Sequence, residues 1–291
     1  MTARKRGIIV KTGLVLEGGG MRAAYTMGVL DVMMENNITY DGIIGVSAGA
    51  IHGISYKSHQ PGRNIRYYKE YAHDKRFMSF RNLIFTGEMV GREFCYNELP
   101  WKLDPFDNDT FKADPTEFYA VCANVETGGT EYFKVNDLRN EKHMDYIRAS
   151  ASLPFVSKVV EIDGYKLLDG GMTDSIPLKK FQEMGFEKNV VVATQPDDYV
   201  KKPENTALAG VFYRKYPNFL NAIKDRPNMY NSEKAYLIEQ EKAGNIFFIR
   251  PEQKLNISRT DTAPDHLEEA YQIGRKDMEK RMGELAEYLK Q

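Results

Sequence analysis

The sequence predicts an α/β fold in which a mixed, largely parallel sheet lies between helices on both faces. Two observations carry this. Two glycine-rich turns, Gly18-Gly19-Gly20-Met21-Arg22 and Gly45-Val46-Ser47-Ala48-Gly49, each join an apolar strand to a helix within the first fifty residues. Beyond them come two hairpins and two further apolar strands, separated by helical stretches.

In chain order, residues 13–17 read as a buried strand and 22–35 as a helix with Ala23, Met27, Leu30 and Met34 on one face. A second strand starts near Ile43. Two strands joined by one helix form a right-handed βαβ unit with parallel strands, which brings both turns to the same carboxyl edge of the sheet. The glycine turn and Ser47 then face one cleft.

Ser47 sits at a sharp strand-to-helix turn, where the positions two before and two after it, Gly45 and Gly49, have to be nearly free of side chain. At a helix N-terminus the macrodipole favours a developing alkoxide, so the position suits a nucleophile. The motif alone is weak: a Gly-x-Ser-x-Gly arises by chance about 0.1 times in a chain of this length. The plain alternative is a Gly/Ser connection between strand and helix.

Residues 61–112 differ in character, with Arg63, Arg66, Lys69, Lys75, Arg76, Arg81 and Arg92 interleaved with Tyr67, Tyr68, Tyr71, Phe77, Phe80, Phe85, Phe94 and Trp101. Such a stretch suits a cap over an apolar cleft, a surface touching lipid headgroups, or an ordinary amphipathic excursion with aromatics in the core. Residues 117–125 and 130–135 alternate as a hairpin around Thr127-Gly128-Gly129. A helix from about Asp137 leads to a second hairpin, 156–162 and 165–168, through Asp163-Gly164. It ends in Leu168-Asp169-Gly170-Gly171. There follow a short helix near Leu178–Met184, the apolar strand Val190–Ala193, helical material to about Ala243 and the strand Ile246–Ile249. A long terminal helix with Leu267, Tyr271, Met278, Met282 and Leu285 near helical spacing is expected to pack on the sheet.

The 291 residues carry 40 basic and 41 acidic side chains, a net charge of −1, which gives no electrostatic footprint for nucleic acid. No unbroken apolar run is long enough to span a bilayer, so a cytoplasmic chain that is soluble or peripheral to a membrane is expected. The basic start, Met1 to Arg6, precedes a short apolar stretch that Lys11 interrupts without a small-residue cleavage site, and it reads as structure rather than leader. Cys95 and Cys122 are too few for a disulfide framework and too far apart for a zinc knuckle, which leaves reduced thiols. His52, His59, His73 and His143 have no metal-ligand spacing. Neither a metal nor an organic cofactor is expected.

Four blocks in order now become informative together: Leu14-Val-Leu-Glu-Gly18-Gly-Gly20-Met-Arg22, Gly45 to Gly49, Ala149-Ser-Ala-Ser152-Leu-Pro154-Phe155, and Asp169-Gly170-Gly171 with Asp174 and Pro177 behind it. Through them the chain resembles the patatin-like phospholipases, acyl-lipid hydrolases, over residues 12–182. The resemblance implies a three-layer patatin-like sandwich, with 183–291 completing the sheet and the C-terminal helices of a single domain, 1–291. It implies Ser47 as nucleophile and Asp169 as general base in a dyad without histidine. It further implies an acyl-enzyme, a lipid or acyl-ester substrate and an oxyanion hole at the glycine turn. The residues agree: Gly18, Gly19 and Gly20 can present amides at a helix start, and Arg22 adds positive charge there. An exposed aspartate, with a pKa of about 4, is a poor base for a hydroxyl, so Asp169 needs desolvation. Asp-Gly is otherwise an ordinary turn pair, as at Asp163-Gly164, and the resemblance alone separates the two. Ala23 stands where the family usually has glycine, which bears on how closely that turn packs. Asp174 reads as a helix-start carboxylate.

Three other readings are open. Gly18-x-Gly20-x-x-Ala23 fits a dinucleotide fingerprint, but the candidate ribose-binding acid, Asp41, lies at the start of the second strand rather than its end. An α/β-hydrolase esterase could use Ser47, Asp169 and His266, which occur in the required order, although that fold needs several strands before its elbow. A non-catalytic lipid-binding protein could keep the fold. Lipid class, acyl position and oligomeric state are not specified by the residues.

Overall fold

The structure, a computed structural model, describes residues 10–203 and 205–290. The basic N-terminal stretch lies outside the described residues up to residue 9. The first βαβ unit comprises β1 (Lys11–Leu16), a 3-10 turn (Gly20–Ala23), α1 (Ala24–Glu35) and β2 (Gly42–Val46), and α2 (Ala48–Lys57) follows Ser47. The basic and aromatic excursion is helical: α3 (Arg63–Tyr71), α4 (Phe80–Thr86), a π-helical stretch (Phe94–Leu103) and α5 (Asn108–Ala113). Next come β3 (Glu117–Asn124), β4 (Thr130–Lys134), α6 (Glu141–Ser150), β5 (Val160–Ile162) and β6 (Tyr165–Asp169). The remainder is α7 (Leu178–Glu183), β7 (Phe186–Val192), α8 (Ala207–Phe212), α9 (Pro217–Lys242), β8 (Ile246–Ile249) and α10 (Pro264–Lys290).

All eight strands form one mixed sheet in the order β5-β6-β3-β2-β1-β7-β8, with β4 also on β3. β3, β2, β1, β7 and β8 run parallel, and β4, β6 and β5 are added by antiparallel pairing. Side chains alternate between two cores, as the period of two requires. Leu14, Leu16, Ile43, Phe118 and Val190 face the layer containing α1 and α2. Val15, Ile44, Val46, Val121 and Val191 face Phe181 of α7 and Tyr230 and Leu237 of α9.

Register on β3 sets up the site. β2 pairs with β3 from Gly42↔Glu117 to Val46↔Val121, and β4 pairs with residues 119–123. A strand has two edges, so β4 takes the opposite one. β6 pairs with residues 122–124, overlapping β4, and must therefore lie on the β2 edge, beyond the point where β2 stops. The two strands meet head to head: Val46 opposite Val121, Asp169 opposite the next residue, Cys122.

Three expectations are corrected. The first strand of the second hairpin begins at Val160 rather than 156, because Phe155 takes a φ of 71° and the Val156 carbonyl accepts the Met89 N–H at 2.8 Å. The strand before Ala193 starts earlier, at Phe186. The terminal helix lies largely along α1, where Tyr271 donates to Asp31 at 2.8 Å and Tyr25 to Asp277 at 3.0 Å.

Candidate active site

Ser47 is held at φ 55°, ψ −124°, a backbone region that favours glycine, at the junction of β2 and α2. Such a conformation costs on the order of 1–3 kcal/mol and persists only where its surroundings fix it. The flanking glycines are required by contact: a Cβ at Gly45 would lie 2.6 Å from the Ala50 nitrogen, and one at Gly49 would lie 2.5 Å from the Leu16 carbonyl oxygen.

Asp169, at the end of β6, is buried beside it. Its Oδ1 accepts the Gly171 N–H at 2.8 Å, while Oδ2 is buried without a formed hydrogen bond among the described residues. Burial pushes this carboxyl above the ordinary carboxylate range, opposed by the neighbouring Ser47 hydroxyl, the Gly171 amide and the charges of Arg226 and Arg259. The block 149–155 ties the pair together. The Ser47 N–H donates to Ser150 Oγ at 2.9 Å, and the Asp169 N–H donates to the Ser152 carbonyl at 2.8 Å. Sequence reasoning gave neither serine a role.

The glycine turn packs directly on Ser47, since a Cβ on Gly18 would stand 2.9 Å from the Ser47 Cβ. The Gly18 and Gly19 amides make no hydrogen bond among the described residues. Gly20 opens the 3-10 turn, and Arg22 projects from it with Nε buried and unpartnered. Burial lowers the proton affinity of that guanidinium, opposed by Glu17. Glu17, unremarked in the sequence, is buried and accepts the Thr194 N–H at 2.6 Å and the Tyr230 hydroxyl at 2.8 Å. Ala23 is fully buried at an ordinary φ of −68°, so its methyl group fits where the family usually has glycine.

Ser47 stands between two unlike pockets. One, of about 490 Å³, is polar and lined by Arg22, Lys201, Arg226 and Arg259 with Asp169 and Glu17. The other, of about 1170 Å³, is lined by Ile51 and Ile54 of α2, by Tyr67, Phe77 and Leu99 of the excursion, and by Ile147 of α6. Gly20, Leu153 and Arg259 border both.

The other candidates lie elsewhere. No histidine lines either pocket, and His266 pairs with Asp261 at 2.8 Å on the surface. Asp41 accepts the Thr12 N–H at 2.7 Å at the opposite end of the strands. Asp163 closes the β5-β6 turn and binds the Lys142 ammonium and the Tyr146 hydroxyl. Asp174 caps no helix: Pro177 holds the cap position of α7, and Asp174 instead accepts the Tyr132 hydroxyl at 2.6 Å and pairs with Glu233. Burial beside Asp174 pushes Glu233 up to about 9. Both cysteines are free. Among the described residues no cluster of three or more His, Cys, Asp or Glu side chains could hold a metal ion, and no helix is long and apolar enough to cross a membrane.

The strained Ser47 turn and the buried Asp169 carboxyl thus meet end to end along one edge of β3. The Patatin-like phospholipase family matches residues 14–181, and the chain belongs to it. Residues 216–290 match a domain of unknown function, DUF6363. The uncharacterized protein YjjU of Escherichia coli is 24% identical over 91% of this chain and 75% of its own length. The Drosophila melanogaster neuropathy target esterase sws is 28% identical over 82% of this chain, and the Saccharomyces cerevisiae lysophospholipase NTE1 26% over 82%. The chain spans only 17% and 15% of those two larger proteins. At family level the activity is hydrolysis of lipid esters.

Proposed function

We propose that this protein is a serine lipid acyl hydrolase of the phospholipase A or lysophospholipase type, working through Ser47 and Asp169. The observation that carries the reading is the buried Oδ2 of Asp169, without a hydrogen bond among the described residues, beside a strained serine at the mouth of an apolar cavity. Asp169 takes the Ser47 proton as Oγ attacks the ester carbonyl carbon. The oxyanion is held by the Gly18, Gly19 and Gly20 amides with the charge of Arg22, and one such donor is typically worth about 3 kcal/mol. Collapse of the tetrahedral intermediate releases the alcohol, which takes the proton back from Asp169. Water then attacks the acyl-enzyme as Asp169 accepts its proton, and the Ser47 Oγ–acyl bond breaks as Asp169 returns the proton to Oγ and the fatty acid leaves. The names of the relatives, an esterase and a lysophospholipase, support a lipid monoester or diester as substrate.

A membrane-peripheral, cytoplasmic protein of one domain, 1–291, fits this activity. β8 and α10, beyond the family match, share the sheet and the α1 layer. Phe80, Ile84 and Phe85 of α4 and Leu208, Val211 and Phe212 of α8 are each more than 60% exposed. The loop between them joins the two patches: Phe155 stacks edge-on to Phe212 at 5.8 Å, and Val156 bonds Met89. Arg81, Lys158, Arg214 and Lys215 lie exposed around it, a combination suited to an anionic lipid surface. In this arrangement the excursion is both wall and lid of the acyl cavity.

A serine-directed fluorophosphonate probe tests the reading. Expected is covalent labelling of Ser47 that disappears in Ser47→Ala; a folded protein that hydrolyses lipid esters without labelling at Ser47 overturns it.

A further inference from the structure

The cavity on the acyl side of Ser47 is apolar over most of its wall, where Phe77, Leu99 and Ile147 supply hydrocarbon. One stretch departs from this. Tyr67 and Tyr68 of α3 and Tyr96 of the π-helical stretch also line it, and none of their three hydroxyls makes a hydrogen bond among the described residues. Tyr67 and Tyr68 are each only 5% exposed, so the space open to their oxygens is the cavity rather than bulk solvent. The three groups are gathered in one place: the Tyr67 and Tyr68 ring centroids lie 4.9 Å apart, and the Tyr68 phenol is within electrostatic reach of both Tyr67 and Tyr96. Burial pushes all three phenols above their ordinary range, so each keeps its proton and stays a hydrogen-bond donor.

The depth of this cluster follows from how α3 lies against α2. Arg63 Nη1 donates to Ser55 Oγ at 3.2 Å, and Tyr68 meets the His52 ring edge-on at 5.4 Å. These contacts fall five to eight residues along α2 from Ser47, about 8–12 Å, roughly the reach of the seventh to tenth carbon of an extended acyl chain. Arg63 borders the same wall but offers no free charge. It donates to the Asp104 carbonyl at 2.9 Å, stands 3.2 Å from the Asp104 carboxylate and lies over the Tyr67 ring at 5.1 Å. It therefore fixes a tyrosine, and the cluster suits a neutral oxygen rather than a carboxylate.

A plain hydrocarbon chain entering here would displace water from these donors and leave them bare, at about 1–3 kcal/mol for each buried donor. A chain with an oxygen at that depth would satisfy them. Phenylalanine would serve a plain chain better, as Phe77 does 5.4 Å from the Tyr68 ring. Resting on the serine-hydrolase reading above, we infer that Tyr67, Tyr68 and Tyr96 form a hydrogen-bonding subsite inside the acyl cavity that selects acyl chains bearing a neutral oxygen, a hydroxyl or keto group, near mid-chain. A site built to hydrogen-bond a substrate oxygen rejects the analogue that lacks it, because its own buried groups are then left unpaired.

The test compares three p-nitrophenyl esters in the same neutral detergent micelles: stearate, stearate with a hydroxyl on the ninth carbon, and its isomer with the hydroxyl on the terminal carbon. In the wild type kcat/KM should favour the mid-chain hydroxyl over both others by about tenfold, the worth of one hydrogen bond. Tyr67→Phe with Tyr68→Phe keeps both rings and should reverse the order, lowering kcat/KM on the mid-chain hydroxy ester while raising it on stearate. A merely structural role would lower both together, which overturns the inference. Equal wild-type kcat/KM on the mid-chain and terminal isomers, with stearate still cleaved, overturns it without any variant and leaves the serine-hydrolase reading standing. Absence of fluorophosphonate labelling together with inactivity on all three esters removes the underlying reading too.

Discussion

The two pockets that meet at Ser47 differ in wall, charge and origin. The apolar one is built by α2, α6 and the excursion at 61–112; the polar one by the glycine turn, the end of β6 and the segment 216–290. The motifs shared with the family lie at the border. The outer walls come from an insertion between strands and from a C-terminal segment, neither of which carries one of these motifs. On the reading proposed above, bond chemistry and substrate choice belong to different stretches of the chain.

The border should be the most sensitive part. Ser47→Ala is expected to lower ester hydrolysis by about ten-thousandfold or more with little change in Tm, since alanine fits wherever serine fits at the elbow. Retained turnover would end the nucleophile assignment. Asp169→Asn keeps the shape and removes the proton acceptor, with an expected loss of about a hundredfold or more, whereas His266→Ala should stay close to wild type. The wild-type rate should fall as pH drops through the raised pKa of Asp169, giving an acid limb above the ordinary carboxylate range. A pH profile of the acylation step reads it, and an inactive but folded His266→Ala would replace the dyad with a triad.

Changes in the walls should alter selection more than rate. Ile51 and Ile54 stand about 6 and 10 Å along α2 from Ser47. Ile51→Trp should exclude long and short acyl chains, and Ile54→Trp only long ones, shifting chain-length preference severalfold in a p-nitrophenyl ester series. Uniform losses at every chain length would mean that acyl chains do not occupy this cavity. At the outer surface, Phe85→Ser with Phe212→Ser should lower the ratio of vesicle to soluble-ester activity, and wild-type activity on anionic vesicles should fall with added salt. Salt-insensitive, equal rates on both would leave these helices as plain structure.

The smallest effect concerns stability. Glu233 binds its proton more tightly in the folded chain, near 9, than at its ordinary value of 4.5. The stabilisation associated with that proton is complete below about pH 4.5 and is lost as pH rises toward 9. Glu233→Gln should flatten the decline of Tm across this window; an unchanged slope would assign it to other groups.

Much of the centre was legible because glycine turns and buried strand runs leave local marks. Both turns, Ser47 and the hairpin carrying Asp169 could be placed from neighbours within a few residues. Asp169 could not be told from Asp163 by local chemistry, because what distinguishes them is where β6 ends on β3, a non-local pairing. Ser150 and Ser152 act on partners 103 and 17 residues away in sequence, and no periodicity marks such contacts. Arg226 and Arg259 sit in helical and loop sequence that resembles any solvated stretch. The sequence of the excursion leaves a cap, a lipid-facing surface and a plain amphipathic stretch open, because whether its rings face a core or a cleft depends on a cavity that only the fold encloses.

The meeting of β2 and β6 end to end along β3 has an evolutionary corollary. The separation of Ser47 and Asp169 is set by two adjacent residues of a neighbouring strand, Val121 and Cys122, not by the 121 positions between them. Chain inserted or deleted between α2 and β3 leaves that measure untouched, whereas one residue added within β3 turns every later side chain to the other face. A change of length in the excursion therefore leaves the register of Ser47 and Asp169 on β3 as it is.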